Sequence, residues 1–219
     1  MNHWAILWDQ RALLLDGFLN TLILFSGSTL GAALLGAVIA VGLRSDGLGG
    51  RVLRASVDGM RMLPFLLFVY LLYFGLPSYG IRLSAWTVGF IGLIVYHAAY
   101  VAEILRGAWA VLPVGQIEAA RACGYRRFAL YREIILPQLV LQAGPVLGNQ
   151  AIILLKDSAF LSIITVRELT AAASSIQSTY FIPYQALLVA IGFYWALSLL
   201  VEAATAGLRR RALIMGLTT

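Results

Sequence analysis

The 219-residue chain lacks most of the side chains from which metal and nucleotide sites are built. It has one cysteine, Cys123, and two histidines, which excludes an intrachain disulfide, a CxxC redox pair and a zinc site made only of nitrogen and sulfur ligands. The G-x-x-x-x-G-K-[ST] phosphate loop, the HExxH motif and the G-x-S-x-G elbow are absent. We therefore expect no enzyme activity, no ATP hydrolysis and no metal or cofactor in this chain itself.

Charge is also scarce, and apolar residues take its place. The chain is 61% hydrophobic and 12% charged, with a mean hydropathy of +0.86, whereas an average soluble domain is about a quarter charged. This balance predicts an all-α membrane protein with one transmembrane domain over residues 1–219, since a span needs about 20 apolar residues. We place five spans at about 17–43, 52–76, 83–105, 134–156 and 183–207.

The arginines predict how the spans are oriented. If the 44–62 segment, the polar stretch 106–133 and the C-terminus face the cytoplasm, they hold all but four of the 16 basic residues, as the positive-inside rule requires. The N-terminus is then outside. Because the basic residues lie in short clusters between apolar runs, the net charge of +6 indicates membrane topology and not nucleic-acid binding.

Ionisable residues inside spans are costly unless they are paired or face a cavity. His97 is either a neutral histidine hydrogen-bonded between helices or a proton relay, and it has no acidic residue close by in sequence to favour the relay. Glu103 is three residues before Arg106, which predicts an ion pair on one helix face. Glu202 is expected to have a structural role near the cytoplasmic end of the last span.

The fourth span carries further polar residues. Counting from Pro137 at about 1.5 Å per residue places Asn149 and Gln150 near mid-membrane and Lys156 near the outer boundary. Lys156 and Asp157 either contact a solute or simply end the helix at the interface. Pro137 and Pro145 predict a bent or locally broken helix. Residues 156–182 are expected to form a loop or hairpin.

The polar stretch 106–133 predicts a short cytoplasmic helix of about ten residues. Pro113 suits its first turn and Gly124 its C-terminal cap. Small side chains at Ala119, Ala120 and Cys123 would let the helix backbone sit deep in a groove of another protein, while Glu118 and the Arg126-Arg127 pair set the orientation by charge.

The same stretch resembles the signature loop of ABC-importer permeases, E-A-A-x3-G-x9-I-x-L-P. The chain matches it at Glu118, Ala119, Ala120, Gly124, Ile134, Leu136 and Pro137. Similarity to the polar amino acid (histidine/glutamine-type) branch extends to five further segments: Arg61-Met62-Leu63-Pro64-Phe65-Leu66, Tyr73-Phe74-Gly75-Leu76-Pro77, Ala99-Tyr100-Val101-Ala102-Glu103-Ile104-Leu105-Arg106-Gly107, Val114-Gly115-Gln116 and Leu155-Lys156-Asp157-Ser158. Met62-Leu63, Cys123 and Ala159-Phe160 depart from what is usual in that branch.

The resemblance implies a five-helix permease subunit of the bacterial inner membrane. Its partners would be a second permease, identical or related, two ATP-binding subunits that hold ATP and Mg²⁺, and an extracytoplasmic solute-binding protein. The short helix would be the coupling helix that contacts the ATPase, through Glu118, Ala119, Ala120, Gly124, Arg126, Arg127 and Pro137. A tentative path for an amino acid substrate is lined by Pro64, Phe65, Tyr100, Asn149, Gln150, Lys156, Asp157 and Ser158.

Two other functions remain compatible with the residues alone. Intramembrane Asn149, Gln150 and Asp157 could also line the path of a secondary transporter or a channel that works without an ATPase. An intramembrane enzyme is disfavoured by the missing metal and nucleophile motifs.

Overall fold

The fold is an all-helical bundle without β-strands among the residues that the structure, a computed structural model, describes: 3–182 and 184–214. Pro183, where the last span was predicted to begin, lies outside that set. The helices are α1 (His3–Asp9), α2 (Arg11–Gly42), α3 (Leu48–Met62), α4 (Phe65–Tyr70), α5 (Ala85–Ala110), α6 (Val114–Ala122), α7 (Arg127–Ala129), α8 (Leu136–Ser158), α9 (Leu169–Tyr180) and α10 (Gln185–Ile214). Helical turns of π or 3-10 type extend α4 to Tyr79, join α7 to α8 over Leu130–Ile135, and follow α8 over Ala159–Ile164.

Four helical stretches in this described part are long and apolar enough to cross a membrane, and a sharply bent pair makes a fifth candidate. The bent pair is Leu48–Met62 with Phe65–Tyr79, which meet at 104°. The span that we place at about 52–76 falls on this pair, but the break within it is not predicted in the sequence analysis. The break falls at Leu63, which is extended, because a residue that precedes proline is sterically excluded from the helical conformation.

Glycine contacts show that α2 and α5 run side by side in the same direction. A Cβ on Gly27 would meet Phe90, one on Gly31 would meet Ile94, and one on Gly36 would lie 2.6 Å from Val101. The contacts advance together along both helices. Glycine at spacing four or five therefore brings the two backbones together, as is common between helices in lipid.

The bent pair α3–α4 crosses the bundle in the opposite direction, in spite of its break. Val57 packs in one cluster with Ala99 and Ala102, Phe65 stacks edge-on against Tyr96 at 5.2 Å, and Val69 faces Gly92. Residue numbers rise along the pair while those of their contacts on α5 fall, so the pair is antiparallel to α5. The pair carries the chain from one end of the bundle to the other, which makes a fifth crossing.

The last two crossings are α8 and α10, which are also antiparallel. Gly144 faces Leu208 and Gly148 faces Thr205. α8 leaves the end of the bundle that carries α6, which we call the α6 end, and reaches the end that carries α9, the α9 end. α10 extends beyond the predicted limit of residue 207 and through the arginine cluster to Ile214.

The predicted loop or hairpin at 156–182 is the helix α9 with its flanking turns, packed across the α9 end. Glu168 is fully buried there. Its carboxylate accepts the backbone N–H groups of Thr170 and Ala171, both at 2.7 Å, and the hydroxyl of Tyr194 on α10 at 2.7 Å. The backbone N–H of Leu169 donates to Thr21 on α2. One carboxylate therefore caps α9 and ties it to the bundle.

Candidate functional site

The short helix α6 ends as the sequence predicts. It covers Val114–Ala122 with Pro113 as its N-cap, and Gly124 adopts a left-handed conformation with φ of 81°. The N–H of Tyr125 donates to the carbonyl of Ala120 and that of Gly124 to Arg121. This pair of bonds is the Schellman motif, which favours glycine because a Cβ is disfavoured at positive φ.

α6 is held on the bundle by one buried face. Ala120 packs in a cluster with Leu112, Leu130 and Ile135, and the side chain of Gln138 donates to that of Gln116 at 2.8 Å. The helix is thereby joined to the end of α5 and to the start of α8. α6 is therefore in contact with both of these spanning helices.

A cation–aromatic contact braces this end of the bundle. The guanidinium of Arg44, just after α2, lies 4.1 Å from the ring centre of Trp109 on α5 and donates to the hydroxyl of Tyr131 at 3.0 Å. Such stacking contributes about 0.5–1 kcal/mol at exposed sites. Arg44 therefore links the end of α2 to α5 and to the turn that precedes α8, the two elements that contact α6.

Of the predicted coupling residues, one is buried against the bundle and the others are exposed. Ala120 is the buried anchor, at 7% exposure. The others are exposed: Glu118, Ala119, Gly124, Arg126, Arg127 and Pro137. Pro137 is in the first turn of α8, two residues after the π-helical turn Leu130–Ile135 ends, where a helix tolerates proline because its missing N–H has no helical partner there. The single cysteine, Cys123, is exposed.

An open apolar cavity lies between this surface and the start of α8. It has a volume of about 410 Å³ and is lined by residues that include Ala119, Ala120, Cys123, Ile134 and Pro137. Beside it, a second cavity of about 620 Å³ is lined by Arg121, Tyr125, Arg127, Leu130 and Tyr131. Small apolar side chains flanked by arginines make a surface suited to a partner groove with acidic edges.

The tentative path residues divide between two faces of α8. Gln150 faces α5, where its amide nitrogen donates to Nδ1 of His97 at 2.8 Å, and Asp157 has Oδ2 at 3.4 Å from Nε2 of the same ring. Nδ1 of His97 thus has a hydrogen-bond partner, whereas the buried Nε2, although close to Asp157, makes no hydrogen bond within the described residues. His97 is therefore hydrogen-bonded between helices, as one of our two interpretations expected, but it does have an acidic neighbour, which sequence distance concealed.

Tyr100 and Phe65 lie at the break of the bent pair. The hydroxyl of Tyr100 donates to the carbonyl of Arg61 at 3.0 Å, and that of Tyr96 donates to the carbonyl of Leu63 at 2.7 Å. These carbonyls lose their helical partners where α3 ends, and a span tolerates such a break only where other groups satisfy them. Pro64 itself is exposed, and Ser158 is buried, with its hydroxyl donating to the carbonyl of Leu155.

Asn149 and Lys156 lie on the other face of α8, which borders α10. With Glu202 they line a cavity of about 430 Å³ between the two helices. The side chain of Glu202 is exposed, and the residue lies in the last third of the candidate span Gln185–Leu208. Glu103 pairs with Arg106 as predicted, through two bonds of 2.8 and 2.6 Å.

Sequence reasoning missed the groups whose partners are far along the chain. Glu168 meets Tyr194 across 26 residues, and His97 meets Gln150 across 53. Glu168 immediately precedes an apolar run with helical spacing, so its position as an N-cap was visible, although glutamate is not a favoured cap. No local sequence pattern predicts the hydrogen bond of Tyr96 to the carbonyl of Leu63 or the proximity of His97 to Asp157.

Comparison with known proteins shows the family to which this fold belongs. Residues 32–214 match the family of binding-protein-dependent transport system inner membrane components. The chain is 32% identical over 200 residues to the probable glutamine ABC transporter permease protein GlnM of Bacillus subtilis, covering 89% of this chain and 91% of that one. It is 33% identical over 211 residues to the octopine transport system permease protein OccM of Rhizobium radiobacter, covering 90% and 84%.

A solved structure agrees in fold along almost the whole length. The crystal structure of an amino acid ABC transporter with histidines matches with a TM-score of 0.86 and 29% identity, over 96% of this chain and 99% of that one. The chain therefore belongs to the family of binding-protein-dependent transport system inner membrane components. It is a multi-pass, all-α membrane permease of the ABC-importer type.

Proposed function

We propose that this chain is the permease subunit that moves a polar amino acid or a similar small solute into the cytoplasm, driven by a separate ATPase subunit. The observation that carries the proposal is the α6 surface: a short, small-sided helix, open on one face and joined on the other to α5 and α8. Relatives that transport glutamine and octopine support an amino acid or an amino acid derivative as the solute.

The energy source follows from the same surface. With no phosphate loop in its sequence, the chain would receive its energy from partner subunits that bind ATP and Mg²⁺. Closure of those subunits on ATP would push α6 and, through the Ala120 cluster, both attached spans. Rigid-body rocking of spans around a central site is an established form of alternating access. A second permease, identical or related, and an extracytoplasmic binding protein would complete the assembly.

Reconstitution tests this function directly. The chain, co-purified with its ATPase subunits and binding protein, is placed in proteoliposomes, and uptake of labelled glutamine, histidine and octopine is measured. We expect uptake of at least one solute that requires ATP inside the vesicles and the binding protein outside. Uptake by the chain alone, driven by an ion gradient without ATP, would instead establish a secondary transporter or channel.

The orientation can be tested with the native cysteine. We propose that the α6 end faces the cytoplasm and that the N-terminus lies outside in the bacterial inner membrane, because the arginine clusters lie at the α6 end. Cys123 is the one cysteine of the chain and is exposed beside α6. Inside-out vesicles and intact spheroplasts are prepared from cells that lack the ATPase subunit. A membrane-impermeant maleimide should label Cys123 in the vesicles and leave it unlabelled in the spheroplasts. Labelling of spheroplasts would reverse the orientation.

A further inference from the structure

The helix α3 lies obliquely over the α6 end of the bundle. It meets α4 at 104°, and its inner face packs Leu53 against Gly42 at the end of α2 and Val57 against α5. Trp109 lies near the same end of α5. Tryptophan is enriched where a membrane protein meets the lipid headgroups. α3 is therefore at the level of the headgroups of the adjoining leaflet.

The side chains of α3 divide into three faces. Gly50 and Val57 are buried against the bundle. The opposite face is apolar and exposed, and its first two turns form a surface that we call the outer stripe: Leu48 (77% exposed), Val52 (58% exposed) and the exposed Ala55. Between the two faces lie Arg51 and Arg54, three residues apart and both exposed. An apolar stripe bordered by arginines is typical of a helix that lies in a membrane interface.

Neither of these two arginines contacts a carboxylate in the part of the chain that the structure describes. Arg51 makes no hydrogen bond or ion pair there, and Arg54 donates only to the carbonyl of Leu43, at 3.2 Å. The segment 44–62 has four arginines and two aspartates, and Asp58 is already paired with Arg61 at 3.7 Å. The border of the outer stripe is therefore positively charged and attracts an anion.

We propose that α3 binds an anionic phospholipid, with the phosphodiester held by Arg51 and Arg54 and an acyl chain lying along the outer stripe. Arginine suits this role because its planar guanidinium can donate two parallel hydrogen bonds to phosphate oxygens. A zwitterionic headgroup adds an ammonium that the two arginines repel, so a lipid with a net negative charge is preferred.

The chemistry of the surface favours a lipid over a protein as its occupant. A phospholipid carries its phosphate directly beside its apolar chains, which matches the border between the arginines and the outer stripe. A protein on the same surface would have to supply an apolar face and two suitably placed carboxylates. The inference goes beyond the proposed transport and depends neither on the solute nor on which leaflet adjoins the α6 end.

A lipid titration followed by native mass spectrometry tests this site. The delipidated permease–ATPase complex in detergent is titrated with palmitoyl-oleoyl phosphatidylglycerol or with phosphatidylcholine that has the same chains. We expect the first lipid bound to the wild type to show at least about a tenfold preference for phosphatidylglycerol, as two arginines beside an anionic headgroup imply. The double variant Arg51→Gln/Arg54→Gln should lose most of this preference. Arg51→Lys should keep most of it, because the charge is retained.

Two further variants complete the test. Arg82→Gln removes an exposed arginine before α5, at the opposite end of the bundle, which also makes no hydrogen bond or ion pair with the described residues. It should leave the preference unchanged. Val52→Ser removes apolar surface from the outer stripe and should weaken the binding of both lipids.

Four results would overturn the inference. They are a wild type without preference, a double variant that keeps the wild-type preference, a Val52→Ser variant that binds both lipids as the wild type does, and loss of a subunit from the double variant. The last result would assign the arginines to a contact between subunits, and the same spectra report it. In each case ATP-dependent uptake by the wild type would leave the proposed function standing.

Discussion

Gly124→Trp is expected to reduce ATP-dependent uptake at least about tenfold. Gly124 closes α6 with a φ of 81°, where a residue with a Cβ costs about 1–2 kcal/mol. No atom lies within 4 Å of a Cβ built at this position, so the indole ring would project from the exposed surface that we assign to the ATPase. Uptake in proteoliposomes and binding of the ATPase subunit, both measured at equal permease content, provide the readout.

Two control variants separate the backbone effect from the surface effect. Gly124→Asn adds little bulk, and asparagine tolerates the left-handed conformation, so it should retain most of the uptake. Gly59→Trp adds the same ring to α3, where a Cβ also meets nothing within 4 Å, and should retain uptake as well. A Gly124→Trp complex with normal uptake and normal ATPase binding would disprove the assignment of α6 as the coupling helix.

Glu168→Ala is expected to lower the free energy of unfolding by about 3 kcal/mol. The substitution leaves two backbone N–H groups at the start of α9 without an acceptor, and the Tyr194 hydroxyl with only the Thr170 hydroxyl in reach. A lost cap costs about 0.5–2 kcal/mol, and a buried donor left unsatisfied costs about 1–3 kcal/mol. Thermal unfolding of the purified chain in nanodiscs measures the loss, with Asp46→Asn as an exposed acidic control.

The pH dependence of stability checks the same carboxyl group. Burial raises the pKa of Glu168 above its usual range, against the opposing effect of its hydrogen-bond donors. The folded state therefore binds the proton more tightly than the unfolded state, and this stabilisation is lost as the pH rises through the raised pKa. Glu168→Gln should remove this part of the pH dependence. An Ala variant as stable as the wild type would show that Glu168 does not hold α9 in place.

The two variants probe opposite ends of one continuous helical stretch, Arg127–Ile164. At the α6 end it begins beside the exposed α6 surface, and at the α9 end it leads into the segment that Glu168 caps. Asp157 and Lys156 lie on its two faces. One helical element therefore joins the contacts of α6 to those of α9 without an intervening loop.

Much of the architecture could be predicted from the sequence because the signals are local. Apolar runs of membrane length predict crossing helices, and the left-handed glycine and the small side chains of α6 predict a capped, close-packing helix. Glu103 and Arg106 pair because three residues separate them on one helix. Pro64 marks a break that we failed to predict, although the steric rule for the residue before proline was available.

The chain by itself determined the five apolar crossings, the helix α6 with its glycine cap, and the absence of a phosphate loop. Each of these depends on the residue types within one or two helical turns, or on the absence of a motif. Only the tertiary structure decided that Asp157 lies beside His97 while its neighbour Lys156 lines the cavity between α8 and α10. The physical reason is that successive residues of a helix point about 100° apart, so which helix each one meets depends on packing between segments that are distant in sequence.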